Sequence, residues 1–61
     1  MPIVTVAAIE GRTIEQKRSL VKDITEAVMK NCKVEADQVT IIIQEMKREN
    51  FAKAGKLYSD K

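Results

Sequence analysis

The stretch MPIVTVAAI, residues 1–9, sets the pattern for the fold because β-branched and other apolar residues follow a proline with few interruptions. It predicts a first strand over residues 2–9 with apolar side chains on both faces rather than in strict alternation, which is typical of a strand covered on two sides. With no leader expected ahead of it, this strand would open the domain.

Pro2 has two interpretations at this point. Removal of Met1, which is common before a small residue, would leave Pro2 as a free secondary amine. A free α-amino group has an ordinary pKa of about 7.7–8.0, and apolar surroundings lower it by disfavouring the charged form, so such an amine could act as a base near neutral pH. The simpler interpretation is a proline that merely opens an edge strand, where its missing N–H costs nothing.

A helix is predicted to follow the first strand. Residues 10–13, Glu-Gly-Arg-Thr, form a turn in which Gly11 supplies backbone freedom. Thr13 and Gln16 have the spacing of a capping box, and from Ile14 to about Asn31 the apolar residues recur with helical period on one side only. The members of this apolar stripe are Ile14, Leu20, Val21, Ile24, Ala27 and Val28.

The second strand is predicted at Val39–Ile43, after a connection from Asn31 to Asp37. Strand, helix and strand with short connections form a β-α-β unit with parallel strands and a right-handed crossover. The fold class is therefore α+β. One helix covers only one face of two strands, and two strands are too few for an independent sheet, so other copies of the chain must supply the missing layer.

Composition limits the remaining possibilities. The 61 residues form one domain, 1–61, too small to be stable without help. Cys32 is the only cysteine and there is no histidine, which excludes an internal disulfide and the common zinc sites and leaves oligomerisation. A net charge of +2 with two aromatic residues argues against nucleic-acid binding. No apolar run approaches the roughly 20 residues of a membrane span, so we expect a cytoplasmic protein with a reduced thiol.

The tail from Glu45 to Lys61 is polar and rich in lysine. Gly55 could turn a short hairpin, or the tail could be partly disordered. Phe51, its large apolar side chain, either anchors the tail to its own core or reaches a neighbouring subunit. Tyr58 is interpreted as incidental. Cys32 lies near the C-terminal end of the helix, which does not stabilise a thiolate, so we do not expect it to be a nucleophile.

Several short motifs together resemble the 4-oxalocrotonate tautomerase family. They are Pro2 directly after Met1, the turn at residues 10–13 followed by Glu-Gln-Lys at 15–17, the second strand running into Glu45-Met46, and Phe51 ahead of a glycine. The resemblance covers residues 2 to about 58 without an evident gap. Each motif alone is weak, whereas their joint spacing is specific.

The resemblance implies a β-α-β subunit with a short C-terminal hairpin, usually assembled as a hexamer that is a trimer of dimers. It also implies cofactor-independent and metal-independent keto–enol tautomerisation of 2-hydroxy-dienoate acids such as 2-hydroxymuconate, a step of aromatic catabolism. Carried to this chain, Pro2 is the general base and Arg12 binds the substrate carboxylate. Phe51 makes the pocket apolar, and the backbone amide of Ile9 helps to bind the substrate oxygen.

Two positions depart from the family pattern. A second substrate-binding arginine would fall on Thr40, which carries no charge. Lys53 stands in the hairpin where an aliphatic residue is expected. We hypothesise that Lys53 partly replaces the missing cation from a neighbouring subunit, and the alternative is that it is a solvated tail lysine.

Other functions remain open from the sequence. One is a related hydratase or dehalogenase acting on an unsaturated acid, although residues 51–55 contain no dedicated acid to activate water. Another is a non-catalytic subunit of a mixed hexamer. The substrate could be a diacid or a monoacid. Pro2 acylated by Met1 would be an amide and could not act as a base.

Overall fold

A computed structural model describes residues 1–60 of the chain. Its helix and strands are β1 (Ile3–Ile9), α1 (Ile14–Cys32), β2 (Thr40–Met46), β3 (Ala52–Lys53) and β4 (Lys56–Leu57). Single turns of 3₁₀ helix at Ala36–Gln38, Arg48–Asn50 and Tyr58–Asp60 connect or follow these elements. The order confirms the expected β-α-β unit with a short C-terminal hairpin.

β1 and β2 form a two-stranded parallel sheet, as the sequence predicts. Ile3 lies opposite Thr40 at one end and Ile9 opposite Met46 at the other. The predicted second strand ended at Ile43, which was too early, because β2 continues for three more residues opposite Ala7 to Ile9. Gln44 and Glu45 are polar and give no local signal for this continuation.

The start of α1 is held by the predicted capping box. The Thr13 hydroxyl accepts from the Gln16 N–H at 3.1 Å, and the Gln16 side chain accepts from the Thr13 N–H at 2.9 Å. These two bonds satisfy backbone donors that have no partner within the first helical turn. Gly11 in the preceding turn has φ 131°, a conformation that favours glycine. The helix begins at Ile14 as predicted and ends one residue later than expected.

Residues 52–57 of the tail fold into a hairpin. β3 and β4 are antiparallel, and the two residues between them, Ala54 and Gly55, have φ values of 54° and 79°. Positive φ at both central residues is the pattern of the type I′ turn, whose twist matches that of the flanking strands. The Tyr58 N–H donates to the Phe51 carbonyl at 2.8 Å and closes the hairpin segment at its base. Gly55 therefore turns a hairpin, as the sequence suggested.

The chain does not enclose a core of its own. None of residues 1–60 is fully buried, and the accessible surface is 5055 Å², against about 4,000 Å² expected for a folded monomer of this size. The radius of gyration is 14.7 Å, against about 10.5 Å for a compact domain of the same length. Ile3 and Ile42, on the sheet face opposite the helix, are 63% and 44% exposed. The single chain therefore leaves an apolar sheet face open to solvent.

Alternating residues of the sheet face α1. On β1 and β2, Val4, Val6, Ile41 and Ile43 are half-buried while their neighbours Ile3, Thr5 and Ile42 are exposed. This alternation assigns one sheet face to the helix and leaves the other open. Within residues 1–60, no helix has the length and apolar character required to cross a bilayer.

Candidate active site

Pro2 lies immediately before β1 and is half-buried. Its carbonyl accepts a hydrogen bond from the backbone N–H of Thr40 at 3.0 Å, which extends the parallel ladder by one bond. The position of Pro2 is therefore fixed by β2 as well as by β1. Thr40, where the family pattern would place a second arginine, is directly beside Pro2 and brings no charge to this end of the sheet.

Arg12 lies just beyond the opposite end of β1. Its guanidinium Nη1 donates to the Ile9 carbonyl at 2.9 Å, so the structure brings Arg12 and Ile9 together. The acceptor is a neutral carbonyl rather than a carboxylate. Because a guanidinium has five N–H donors, most of its hydrogen-bonding capacity stays available for an anionic ligand.

Arg12 borders a cleft of about 320 Å³ between the sheet and the first turns of α1. Two other charged residues, Lys17 and Glu45, line the same cleft. Lys17 Nζ and Glu45 Oε1 are in direct contact and form an ion pair. The sequence predicts neither residue for the site. The available signal was that both stand in the motif segments on which the family resemblance depends. The remaining lining residues are Val6, Ala7, Ala8, Leu20 and Ile43.

One chain does not bring Pro2 and Arg12 into one site. They flank a strand of seven residues, Ile3–Ile9, and an extended strand of this length spans about 20 Å. A small dienoic acid is far shorter than that. A site that uses both residues must therefore take them from different copies of the chain.

Phe51 and Lys53 lie on the tail, far in sequence from both ends of β1. The Phe51 ring makes an edge-to-face contact with Tyr58, with centroids 5.9 Å apart and planes at 74°. The Arg48 guanidinium lies over the Tyr58 ring, 5.4 Å from its centroid. Tyr58 is thus not incidental, because it supports the aromatic residue predicted for the site. Lys53 is exposed and lies opposite Lys56 in the hairpin.

Comparisons with known proteins agree with this architecture. The family model described as tautomerase enzyme matches residues 2–61. A 2-hydroxymuconate tautomerase of Bacillus subtilis (strain 168) is 47% identical over 60 residues, which is 98% of this chain and 97% of that protein.

Solved structures give the same result. A structure from a study of the 4-oxalocrotonate tautomerase isozymes of Methylibium petroleiphilum is 46% identical, with a TM-score of 0.91 and coverage of 97% of this chain and 92% of that chain. A heterohexamer 4-oxalocrotonate tautomerase from Chloroflexus aurantiacus is 27% identical, with a TM-score of 0.90 and coverage of 98% and 97%. Since the family model and these relatives match over almost the whole length, the chain belongs to the tautomerase family, with homologues of 4-oxalocrotonate tautomerase as its structural neighbours.

Proposed function

We propose that this chain is a cofactor-independent keto–enol tautomerase of 2-hydroxy-dienoate acids such as 2-hydroxymuconate, with Pro2 as the general base after removal of Met1. The observation that carries the proposal is the position of Pro2 at the head of β1, held there by the hydrogen bond from Thr40. Family membership supports tautomerase chemistry, and the Bacillus subtilis relative is a 2-hydroxymuconate tautomerase.

The reaction requires only the movement of a proton. The neutral Pro2 amine accepts the proton of the substrate 2-hydroxyl group, and the electrons of the broken O–H bond form the new carbonyl. The conjugated double bonds shift, and the protonated amine delivers the proton to a carbon further along the chain. Atoms and electrons balance without an oxidant, a reductant or a metal.

Arg12, Ile9 and Phe51 have binding roles in this proposal. Arg12 holds a substrate carboxylate, for which its planar fork of donors is suited. The backbone amide of Ile9 donates to the substrate oxygen, and Phe51 supplies an apolar wall that favours the neutral form of the Pro2 amine. The Arg12–Ile9 contact supports the first two roles, because it places both residues at one strand end.

The site is proposed to form between subunits. Two copies of β1 that run antiparallel along their free edges would place Pro2 of one copy beside Ile9 and Arg12 of the other, at both ends of the pair. The span of about 20 Å between the ends of β1 supports this arrangement, since Pro2 and Arg12 of one chain are too far apart to contact the same small substrate. The exposed Ile3 and Ile42 support further assembly through the open sheet face, and we propose a homohexamer built as a trimer of dimers.

A second candidate is one subunit of a mixed hexamer. The uncharged Thr40 beside Pro2 favours it, because another type of chain could then supply the missing cation. The Chloroflexus aurantiacus neighbour is itself a heterohexamer. Co-purification of a second short chain in stoichiometric amount would support this candidate, whereas an active oligomer of one chain type would exclude it.

One sample tests the proposed function. Denaturing mass spectrometry reports whether Met1 is absent, native mass spectrometry reports the number of subunits, and an ultraviolet assay follows turnover of 2-hydroxymuconate and phenylenolpyruvate. We expect a processed oligomer that converts at least one of the two enols. A fully processed oligomer that converts neither would contradict the proposal.

A further inference from the structure

The cleft beside Arg12 contains a cation that the proposed function does not use. Among the lysines within residues 1–60, Lys17 alone is not exposed, and its side chain is 25% accessible. Its ion-pair partner Glu45 has a side chain that is 32% accessible. Lys17 thus lies in the same cleft as Arg12, a residue of like charge, and its ammonium is in contact with Glu45.

The charges of the cleft do not cancel. Arg12 and Lys17 contribute two cations, and Glu45 contributes one carboxylate. Arg12 donates to the neutral Ile9 carbonyl, so within residues 1–60 the single carboxylate of the cleft is engaged by Lys17. An ammonium has three donors, and the contact with Glu45 accounts for one of them. The cleft therefore offers one uncompensated positive charge and unused donors from two side chains.

The apolar walls of the cleft strengthen its attraction for an anion. Val6, Ala8, Leu20 and Ile43 present apolar surface around the charged groups. An anion that enters such a cleft interacts more strongly with the cations than it would in bulk water, because the surroundings are less polarisable. The volume of about 320 Å³ accommodates a small organic acid.

We propose that Lys17 is a substrate-binding residue, which together with Arg12 forms a subsite for a single carboxylate, and that Glu45 holds Lys17 at the edge of this subsite. The inference rests on the proposed function through the role of Arg12 as a carboxylate ligand. Arg12 supplies the planar fork, and Lys17 supplies a point charge from the first turn of α1. Glu45 competes with the ligand for Lys17 while it keeps the ammonium near Arg12.

The alternative is a simple tie, in which the ion pair only stabilises the packing of α1 against β2. Such a partly exposed pair contributes little to stability. The two interpretations predict different results for Glu45→Gln. A simple tie predicts lower stability and no gain in ligand affinity. A carboxylate subsite predicts lower stability with tighter binding, because the Lys17 ammonium loses its competing partner.

A ligand that cannot react makes the test independent of catalysis. Hexa-2,4-dienoate has one carboxylate and no 2-hydroxyl group, and hexa-2,4-dienamide is its uncharged counterpart. Both are titrated into the intact oligomer and followed by NMR, with the backbone amides of Ala8 and Leu20 as reporters on the cleft walls. Denaturant unfolding of each variant gives its stability.

We expect the wild-type protein to bind the dienoate about tenfold more tightly than the dienamide, and Lys17→Met to lower this preference to about threefold because Arg12 still contacts the carboxylate. Lys17→Arg should retain dienoate binding because it keeps the charge. Glu45→Gln should tighten dienoate binding about threefold while lowering stability. Glu45→Gln also keeps the proposal falsifiable if Lys17→Met does not fold.

The proposal is overturned if Lys17→Met weakens binding of the acid and of the amide equally, or if Glu45→Gln does not tighten dienoate binding. Failure of the proposed function can be distinguished from failure of this subsite, because the proposed function is measured by turnover of an enol and the subsite by binding of a ligand that does not react. A protein that binds the dienoate through Lys17 but converts no enol would refute the proposed function and support the subsite.

Discussion

The Thr40 N–H donates to the Pro2 carbonyl at 3.0 Å, so the first residue of β2 is fixed beside the proposed base. Thr40 brings no charge to this position, and the cations proposed to bind a substrate carboxylate lie at the other end of β1 or on the tail. Substitutions at Thr40 change the charge beside Pro2 without removing a backbone hydrogen bond.

Thr40→Arg is expected to raise kcat/KM for the diacid 2-hydroxymuconate about tenfold, since a charge-assisted hydrogen bond to a carboxylate is roughly twice as strong as a neutral one. The monoacid 2-hydroxypenta-2,4-dienoate should gain much less. Thr40→Gln is the matched control, because it adds length without charge. Equal gains for both acids, or for both variants, would refute a charge effect at this position.

Lys53→Ala tests whether the hairpin supplies a second cation to a neighbouring site. If it does, kcat/KM for 2-hydroxymuconate should fall about tenfold while that for the monoacid changes little. Lys56→Ala is the natural control, because Lys56 lies opposite Lys53 in the same hairpin. Unchanged steady-state constants in Lys53→Ala would identify Lys53 as a solvated lysine.

Tyr58 is expected to act through Phe51. Tyr58→Ala removes the edge-to-face contact and the surface under Arg48, and such aromatic pairs contribute about 0.5–1.5 kcal/mol. We expect a several-fold loss of kcat/KM together with loss of the NMR contacts of the Phe51 ring. Tyr58→Phe keeps the ring and should retain most of the activity. Full activity in Tyr58→Ala would show that Phe51 needs no support from Tyr58.

The turn of the hairpin contains a residue poorly suited to its conformation. Ala54 has φ 54°, where alanine is strained and asparagine is tolerated. Ala54→Asn would create the Asn-Gly pair preferred in type I′ turns and should raise the free energy of unfolding by about 1 kcal/mol. Ala52→Asn, placed within β3, should not stabilise the protein. Chemical denaturation at fixed protein concentration measures both, and a destabilised Ala54→Asn would argue against the type I′ turn.

The elements with local signals were predictable from the sequence. The Thr13–Gln16 capping box and the helical period marked α1, and the short connections required β1 and β2 to be parallel. The end of β2 was not predictable in this way, because Gln44 and Glu45 have no local strand signal. Their place in the sheet depends on pairing with Ala7 and Ala8.

The contacts around the candidate site were predictable only in part. Pro2, Arg12 and Phe51 came from the family resemblance, and the length of β1 alone implies that Pro2 and Arg12 of one chain are far apart. The Lys17–Glu45 pair joins residues 28 positions apart, and Tyr58 meets Phe51 only after the chain has turned at Gly55. Contacts of this kind depend on the folded backbone and leave no local pattern in the sequence.

The most direct test of the central claim is kcat for Pro2→Ala against wild type on the better of the two enols, with removal of Met1 from both confirmed by mass and with equal oligomer size. Alanine is also a small residue after Met1, so processing should continue. We predict that kcat falls by about 10²-fold or more, the range lost with a general base. A Pro2→Ala oligomer with the kcat of the wild type would contradict the role of Pro2 as the general base.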